Sequence, residues 1–169
     1  MIVLIKALIL FLQVSFYNLQ VTTTDNSPLS LSQFRDKKVL IVNIASESPR
    51  NTQLAALQSL KNRFGDSLVI LAMPSNSFGH EPLSDSDIKL SFQPYNNSII
   101  LLKKEMVTGP QANTLYKWLA SKIQNKYFDI ILTGDFEKIL VDETGEIIGI
   151  FSPLMEPLSP RMIQSISTH

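Results

Sequence analysis

The 169-residue sequence contains no cysteine. That absence removes disulfides, thiolate metal ligands, thiol redox cycles and cysteine nucleophiles together, because each needs a sulfhydryl or its thiolate. Histidine is scarce as well, with His80 and His169 the two present. Two histidines and scattered carboxylates offer no metal-ligand spacing, so neither a metal nor another cofactor is expected. Neither sign of charge is in excess: Lys plus Arg and Asp plus Glu both number 15. Composition therefore gives no electrostatic case for a nucleic-acid partner or for an anionic membrane surface. The apolar stretch Met1 to Leu12, broken by Lys6, is too short to span a bilayer, which takes about 20 apolar residues. A charge ahead of the run Ala7 to Leu12 is nonetheless the arrangement of a secretory signal, although no A-x-A-like cleavage site follows. Residues 1–15 are read as an apolar segment that exports the chain or tethers it to a membrane, an extracytoplasmic location. The alternative is a cytoplasmic protein whose first residues pack on the domain or fray from it. Residues 16–169 read as one globular domain, with 44% hydrophobic content to build a core.

From Phe16 onward the apolar pattern switches between strand-like runs and helical spacing, the mark of an α/β domain with crossover connections. Phe16 to Val21 reads as strand. Val39 to Ile44 is nearly all apolar and rich in β-branched residues, as a central strand buried on both faces should be. Ser48-Pro49 then offers a helix cap and a first-turn proline, and Leu54, Leu57, Leu60 and Phe64 recur at helical spacing until Gly65. A second buried run, Leu68 to Met73, should lie parallel to the first. Ligands in open α/β sheets collect beyond the carboxyl ends of strands, so the loops Ala45 to Arg50 and Pro74 to Gly79 should meet at the site. Further on, Ser84 to Phe92 reads as a capped helix and Ser98 to Leu102 as a strand. Leu115, Trp118, Leu119 and Ile123 form the buried stripe of a longer helix. Ile139 to Asp142, the turn Glu143-Thr144-Gly145 and Glu146 to Phe151 make a hairpin, and Ser159-Pro160 starts a last helix.

Several stretches carry a resemblance. Lys38-Val39-Leu40-Ile41-Val42-Asn43-Ile44-Ala45-Ser46 resembles the K-V-L-I-V-N-x-A-S segment of glutathione peroxidases. Met73 to Gly79 with Glu81-Pro82 resembles their F-P-x-N-Q-F-G-x-Q-E-P block, and Gly109-Pro110 through Leu119 their G-P-x-x-x-x-L-Y-x-x-L segment. Phe136 to Asp142 with Gly145 resembles F-x-K-F-L-V-D-x-x-G, and Ser152-Pro153 with Pro157-Leu158 matches S-P-x-x-x-P-L. These blocks, in order from about Phe16 to the C-terminus, imply a thioredoxin-like fold. That fold is a central mixed sheet flanked by helices, with an N-terminal β-hairpin.

The same resemblance implies a peroxidase whose chemistry this chain lacks. Family members use a peroxidatic cysteine or selenocysteine supported by a glutamine, a tryptophan and an asparagine. At the matching positions this sequence has Ser48, Ser77, Gly134 and Asp135. A serine hydroxyl stays protonated and has no reversible oxidised form comparable to a sulfenic acid. The expectation is a non-catalytic homologue, reused to bind a small molecule or a protein. The alternative is an enzyme with residual or altered glutathione- or thioredoxin-dependent peroxidase activity in the oxidative-stress response. Of the single residues, Ser48 is expected to cap a helix and His80 to sit exposed in a loop. Asp135 is expected to be a solvated loop carboxylate, with ligand binding as its sharper alternative.

Overall fold

A computed structural model of the chain describes residues 14–168, so the reading of the first thirteen residues lies outside the described part. Strand β3, Lys38–Ile44, is buried along its whole length. Its alternating side chains serve two cores. Val39 and Ile41 face Phe16, Tyr116 and Trp118 on one side. Leu40 and Val42 face Leu57, Leu60 and Phe136 on the other. The next elements are α1, Gln53–Phe64, and β4, Leu68–Pro74, which pairs parallel with β3 in the register Leu40↔Ile70 and Val42↔Ala72. Gly65 ends α1 at φ +52, a backbone region that glycine enters without a Cβ penalty.

Around this βαβ unit the sheet has the order β5-β4-β3-β6-β7. Strand β5 is Ile100–Leu101, while β6, Lys138–Val141, and β7, Ile147–Phe151, form the expected hairpin, β6 running antiparallel to β3 and β7 antiparallel to β6. Separate from it, β1, Gln20–Thr22, and β2, Pro28–Ser30, make the N-terminal hairpin. The helices are α2, Asp85–Ser91; α3, Thr114–Leu119; α4, Lys122–Asn125; and α5, Pro160–Ser167. Ser84 and Ser159 cap α2 and α5 through their hydroxyls, as their sequence positions suggest.

Three expectations need correction. Phe16 to Asn18 is a single 3-10 turn capped by Ser15, and β1 begins only at Gln20. Its aromatics are anchored elsewhere: the Tyr17 hydroxyl donates to the Glu143 carbonyl at 2.6 Å, and Phe16 packs on Trp118. The strand expected over Ser98 to Leu102 shrinks to two residues, because β4 offers partners only at Leu71 and Ala72. The long helix through Ile123 is two short ones. It breaks at Ser121, which is extended, and Ile123 is 64% exposed. Trp118 is core as expected, with its indole N–H donating to the Val14 carbonyl at 2.6 Å.

Candidate functional site

The loops that follow β3 and β4 meet as anticipated. Ser75 N–H donates to the Ile44 carbonyl at 3.0 Å, and Glu47 N–H to the His80 carbonyl at 3.0 Å. Glu81 is their hub. Its buried carboxylate accepts from Ser46 N–H at 2.8 Å and from the Ser46 hydroxyl at 2.7 Å, and Asn76 Oδ1 accepts from its own backbone N–H. Charge-assisted bonds of this kind are the strong ones, so the two loops are locked to each other.

The third wall is the segment Gly134 to Glu137, before β6. Asn43, fully buried near the end of β3, grips it by both ends of its amide. Nδ2 donates to the Gly134 carbonyl at 2.9 Å and Oδ1 accepts from Glu137 N–H at 3.1 Å. Asn43's own carbonyl accepts from Phe136 N–H at 2.6 Å. Phe136 sits at φ +64 with its ring buried in the core, a conformation that a bulky residue adopts only when its surroundings dictate it.

This clamp places Asp135 inside, 1% exposed, with Oδ2 at 2.6 Å from His80 Nδ1 and Oδ1 without a partner. The expected solvated loop aspartate is therefore buried, because Asn43 and Phe136 draw its segment into the fold and His80 meets it there. His80 is not a free loop side chain: its imidazole is 47% exposed but bonded to Asp135. Among the described residues it makes no hydrogen bond to Ser48.

Ser48 is not a helix cap. It lies 5% exposed in a run of turns, with Asn51 N–H on its carbonyl at 3.0 Å, and its hydroxyl accepts from Arg50 N–H at 3.3 Å. Helix α1 starts five residues after it, and Thr52, before the first helical residue, makes no side-chain cap. Ser77 is tied into its own loop, its hydroxyl accepting from Val107 N–H at 2.9 Å and from the Ser75 hydroxyl at 3.0 Å. Gly134 has no side chain to offer, and a Cβ there would meet Pro153 at 3.5 Å.

At the Pro153 carbonyl lies a polar group that the sequence reading did not single out. Lys138 Nζ is fully buried and donates to the carbonyls of Phe136 at 2.7 Å and Pro153 at 3.5 Å. Gln53 Nε2 shares the Pro153 carbonyl at 3.0 Å, while Gln53 Oε1 and Arg50 Nε are buried without partners. Burial pushes the Lys138 ammonium down to about 8, with Glu156 and Glu137 opposing the shift and Arg50 adding to it. The available signal was a lysine inside the apolar run of β6. On the other side, an apolar cleft of about 380 Å³ runs between Phe78, Val107, Tyr116, Leu119, Ile130 and Ile131. Burial first, and Glu137 second, raise the Tyr116 phenol above its ordinary range. No cluster of three or more metal-ligating side chains occurs among the described residues.

The sheet order, the flanking helices and the site at the carboxyl ends of β3 and β4 define a thioredoxin-like protein. The pneumococcal exposed lipoprotein thioredoxin Etrx1 of Streptococcus pneumoniae has the same fold, with a TM-score of 0.57 at 18% identity over 82% of this chain and 90% of that one. Residues 16–120 match the family model described as glutathione peroxidase. A glutathione peroxidase-like peroxiredoxin, GPX5 of Chlamydomonas reinhardtii, is 34% identical over 148 residues, covering 85% of this chain and 90% of that protein. The crystal structure of Trgpx in apo form superposes with a TM-score of 0.68 at 27% identity, covering 92% of this chain and 97% of that one. The chain belongs to the glutathione peroxidase family.

Proposed function

We propose that this family member is non-catalytic as a thiol peroxidase and that its inherited pocket serves binding. The observation that carries this reading is the absence of cysteine from all 169 residues. Reduction of a hydroperoxide by this chemistry needs a thiolate or selenolate to attack the O–O bond, releasing an alcohol and holding the other oxygen as a sulfenic or selenenic acid until reductant arrives. A serine at position 48 has neither the soft nucleophile nor the recoverable oxidised state. The remaining substitutions support the same reading. The Ser48 and Ser77 hydroxyls are committed to backbone N–H groups, and position 135 carries a carboxylate where a donor would steady the reacting oxygen.

The deciding measurement is turnover of hydrogen peroxide and an organic hydroperoxide with glutathione and with thioredoxin as donors. The expected rate matches that of a Ser48→Ala variant, and a rate well above it sinks the proposal. A binding role has its own support in Asp135, whose Oδ1 is buried without a donor, an arrangement that costs stability unless something is gained. Binding to this pocket is expected to raise the thermal midpoint in the parent chain and not in Asp135→Ala.

A further inference from the structure

The loop that follows β3 has a second side. Where Ser46 and Asn51 face α2 they close a cavity of about 190 Å³ that neither Asp135 nor His80 lines. Its apolar walls include Leu54, Ile88 and Phe92, and Glu81 supplies its one charged side chain. Glu81 is 1% exposed, and no lysine, arginine or histidine pairs with it among the described residues. Lys104, the ammonium beside the next turn of the loop, donates instead to the Leu83 carbonyl at 2.7 Å. The Glu81 oxygens accept from Ser46 N–H, the Ser46 hydroxyl and Leu83 N–H, three bonds to a carboxylate that offers about four sites. A buried carboxylate with no cation facing it is costly, and an opposite charge lowers that cost.

The other polar groups of the cavity are alike in what they have left to offer. The Ser46 hydroxyl donates to Glu81 and the Ser91 hydroxyl to the Ile88 carbonyl at 2.9 Å, so each oxygen keeps lone pairs free. Asn51 Nδ2 donates to the Ser46 carbonyl at 3.1 Å, while Asn51 Oδ1 accepts no bond among the described residues. The cavity thus presents acceptors around a negative charge, its hydroxyl protons on Ser46 and Ser91 already used inside the protein. A primary ammonium, with three N–H donors and one positive charge, is the complement of that set, whereas a carboxylate or a phosphate would meet repulsion. Phe92 and Tyr95, with ring centroids 5.4 Å apart, line the same space, and aromatic rings attract cations. The volume lies below the roughly 300 Å³ at which pockets for drug-sized ligands begin, which limits the ligand to a short chain.

We propose that this cavity binds a small primary alkylammonium ion, its nitrogen toward Glu81, Asn51 Oδ1 and Ser91 Oγ and its alkyl chain along Leu54, Ile88 and Phe92. A free amine and the side chain of a lysine share this chemistry, a short alkyl chain ending in an ammonium. The site is separate from the pocket at Asp135, and it stands whether or not the chain turns over peroxide.

The test is titration of the full chain with n-butylammonium chloride at constant ionic strength and about pH 7, where the amine carries its charge, followed by proton–nitrogen correlation spectra. Saturable shifts are expected at the Ser46, Asn51 and Ser91 amides. Butan-1-ol, which has the chain without the charge, should bind at least about tenfold more weakly, and butyrate should not bind. Glu81→Gln keeps an oxygen and removes the charge, and affinity should fall at least about tenfold. Because Glu81 also ties the loops together, two further variants leave it in place. Ser91→Trp, at an exposed residue that lines the cavity, introduces an indole there and should abolish binding. Tyr95→Leu keeps apolar bulk without the ring and should cost about threefold. Leu154→Ser, exposed and outside the lining, should bind like the parent, and thermal midpoints check that each variant is folded. Tighter binding of N-acetyl-lysinamide than of n-butylammonium would assign the cavity to a lysine side chain and weaker binding to a free amine, and both uphold the ammonium site. Shifts that do not saturate, butan-1-ol binding as tightly as the amine, or unchanged affinity in Ser91→Trp would each overturn the proposal. Shifts centred on His80 and Asp135 would move the amine to the other pocket and overturn it too.

Discussion

Asn43 is an amide inside an otherwise apolar strand, and the structure accounts for it: both ends of the side chain hold the segment before β6. Removing it would strand the Gly134 carbonyl and the Glu137 N–H in the interior. Asn43→Ala is expected to lose about 3 kcal/mol of stability in urea denaturation, two net hydrogen bonds plus part of a desolvation penalty. Lys138 makes a second prediction. In the folded chain its ammonium gives up its proton near 8 because it is buried, whereas an unfolded lysine does so near 10.4. Between those values the unfolded chain holds the extra proton, so stability rises with pH across the window, and the cost of burying the charge is fully present below it. Relative to Lys138→Met, the parent chain should gain up to about 3 kcal/mol between roughly pH 7.5 and 10.5 in urea denaturation. Parallel pH profiles for the two proteins would place the Lys138 titration outside that window. Neither residue's role could be read from sequence with the same ease. Asn43 stood in a recognisable block, but its grip on Gly134 and Glu137 spans ninety-odd residues of chain. Asp135 was misread for the same reason: nothing local says that a Gly-Asp pair will be pulled under a histidine from another loop.

At the scale of elements, what local chemistry controls was legible. The β-branched run became β3, Ser84 and Ser159 became caps, and the Glu143-Thr144-Gly145 turn joined β6 to β7. The failures fall where two local signals compete or where partners are distant. Ser48-Pro49 carries the signature of a helix start, yet it opens a ladder of turns in which Asn51, Gln53 and Leu54 N–H bond three residues back, and α1 takes over only afterwards. The apolar stripe through Ile123 suggested continuity, but Asn125 captures the Trp118 and Leu119 carbonyls that a continuing helix would have used. Asn125→Ala therefore tests the break directly. It should cost about 2–3 kcal/mol and loosen the turn, read as faster amide hydrogen exchange at Tyr127 and Phe128 while β3 stays protected.

For the whole molecule, the thioredoxin-like fold surrounds a site whose loops are tied together by hydrogen bonds, with Asp135 Oδ1, Gln53 Oε1 and Arg50 Nε left buried without partners. A single repair should not restore a peroxidase. Ser48→Cys is expected to stay within about tenfold of Ser48→Ala in peroxide turnover, since each missing donor to a reacting oxygen can cost about 10²–10³. Adding Ser77→Gln, Gly134→Trp and Asp135→Asn to Ser48→Cys should raise the rate further, and the steady-state assay with both donors measures each step. At Gly134 a Cβ would sit in ordinary contact with Pro153 at 3.5 Å, so the backbone accepts a side chain and the indole needs its own room beyond it. The Asn43 clamp carries one more consequence, for the order in which the molecule assembles. β3, α1 and β4 are contiguous and can close on themselves early, whereas β6 must return across nearly a hundred residues to pair with β3, and contacts that distant are slow to form. The pocket is thus expected to be finished in the final stage of folding. Substitutions at Leu57 or Ile70 should slow refolding, and Asn43→Ala should mainly hasten unfolding, with a φ-value near zero in stopped-flow kinetics. A partly folded chain would carry a formed core and no pocket, so any ligand of this site binds only molecules that have completed the search.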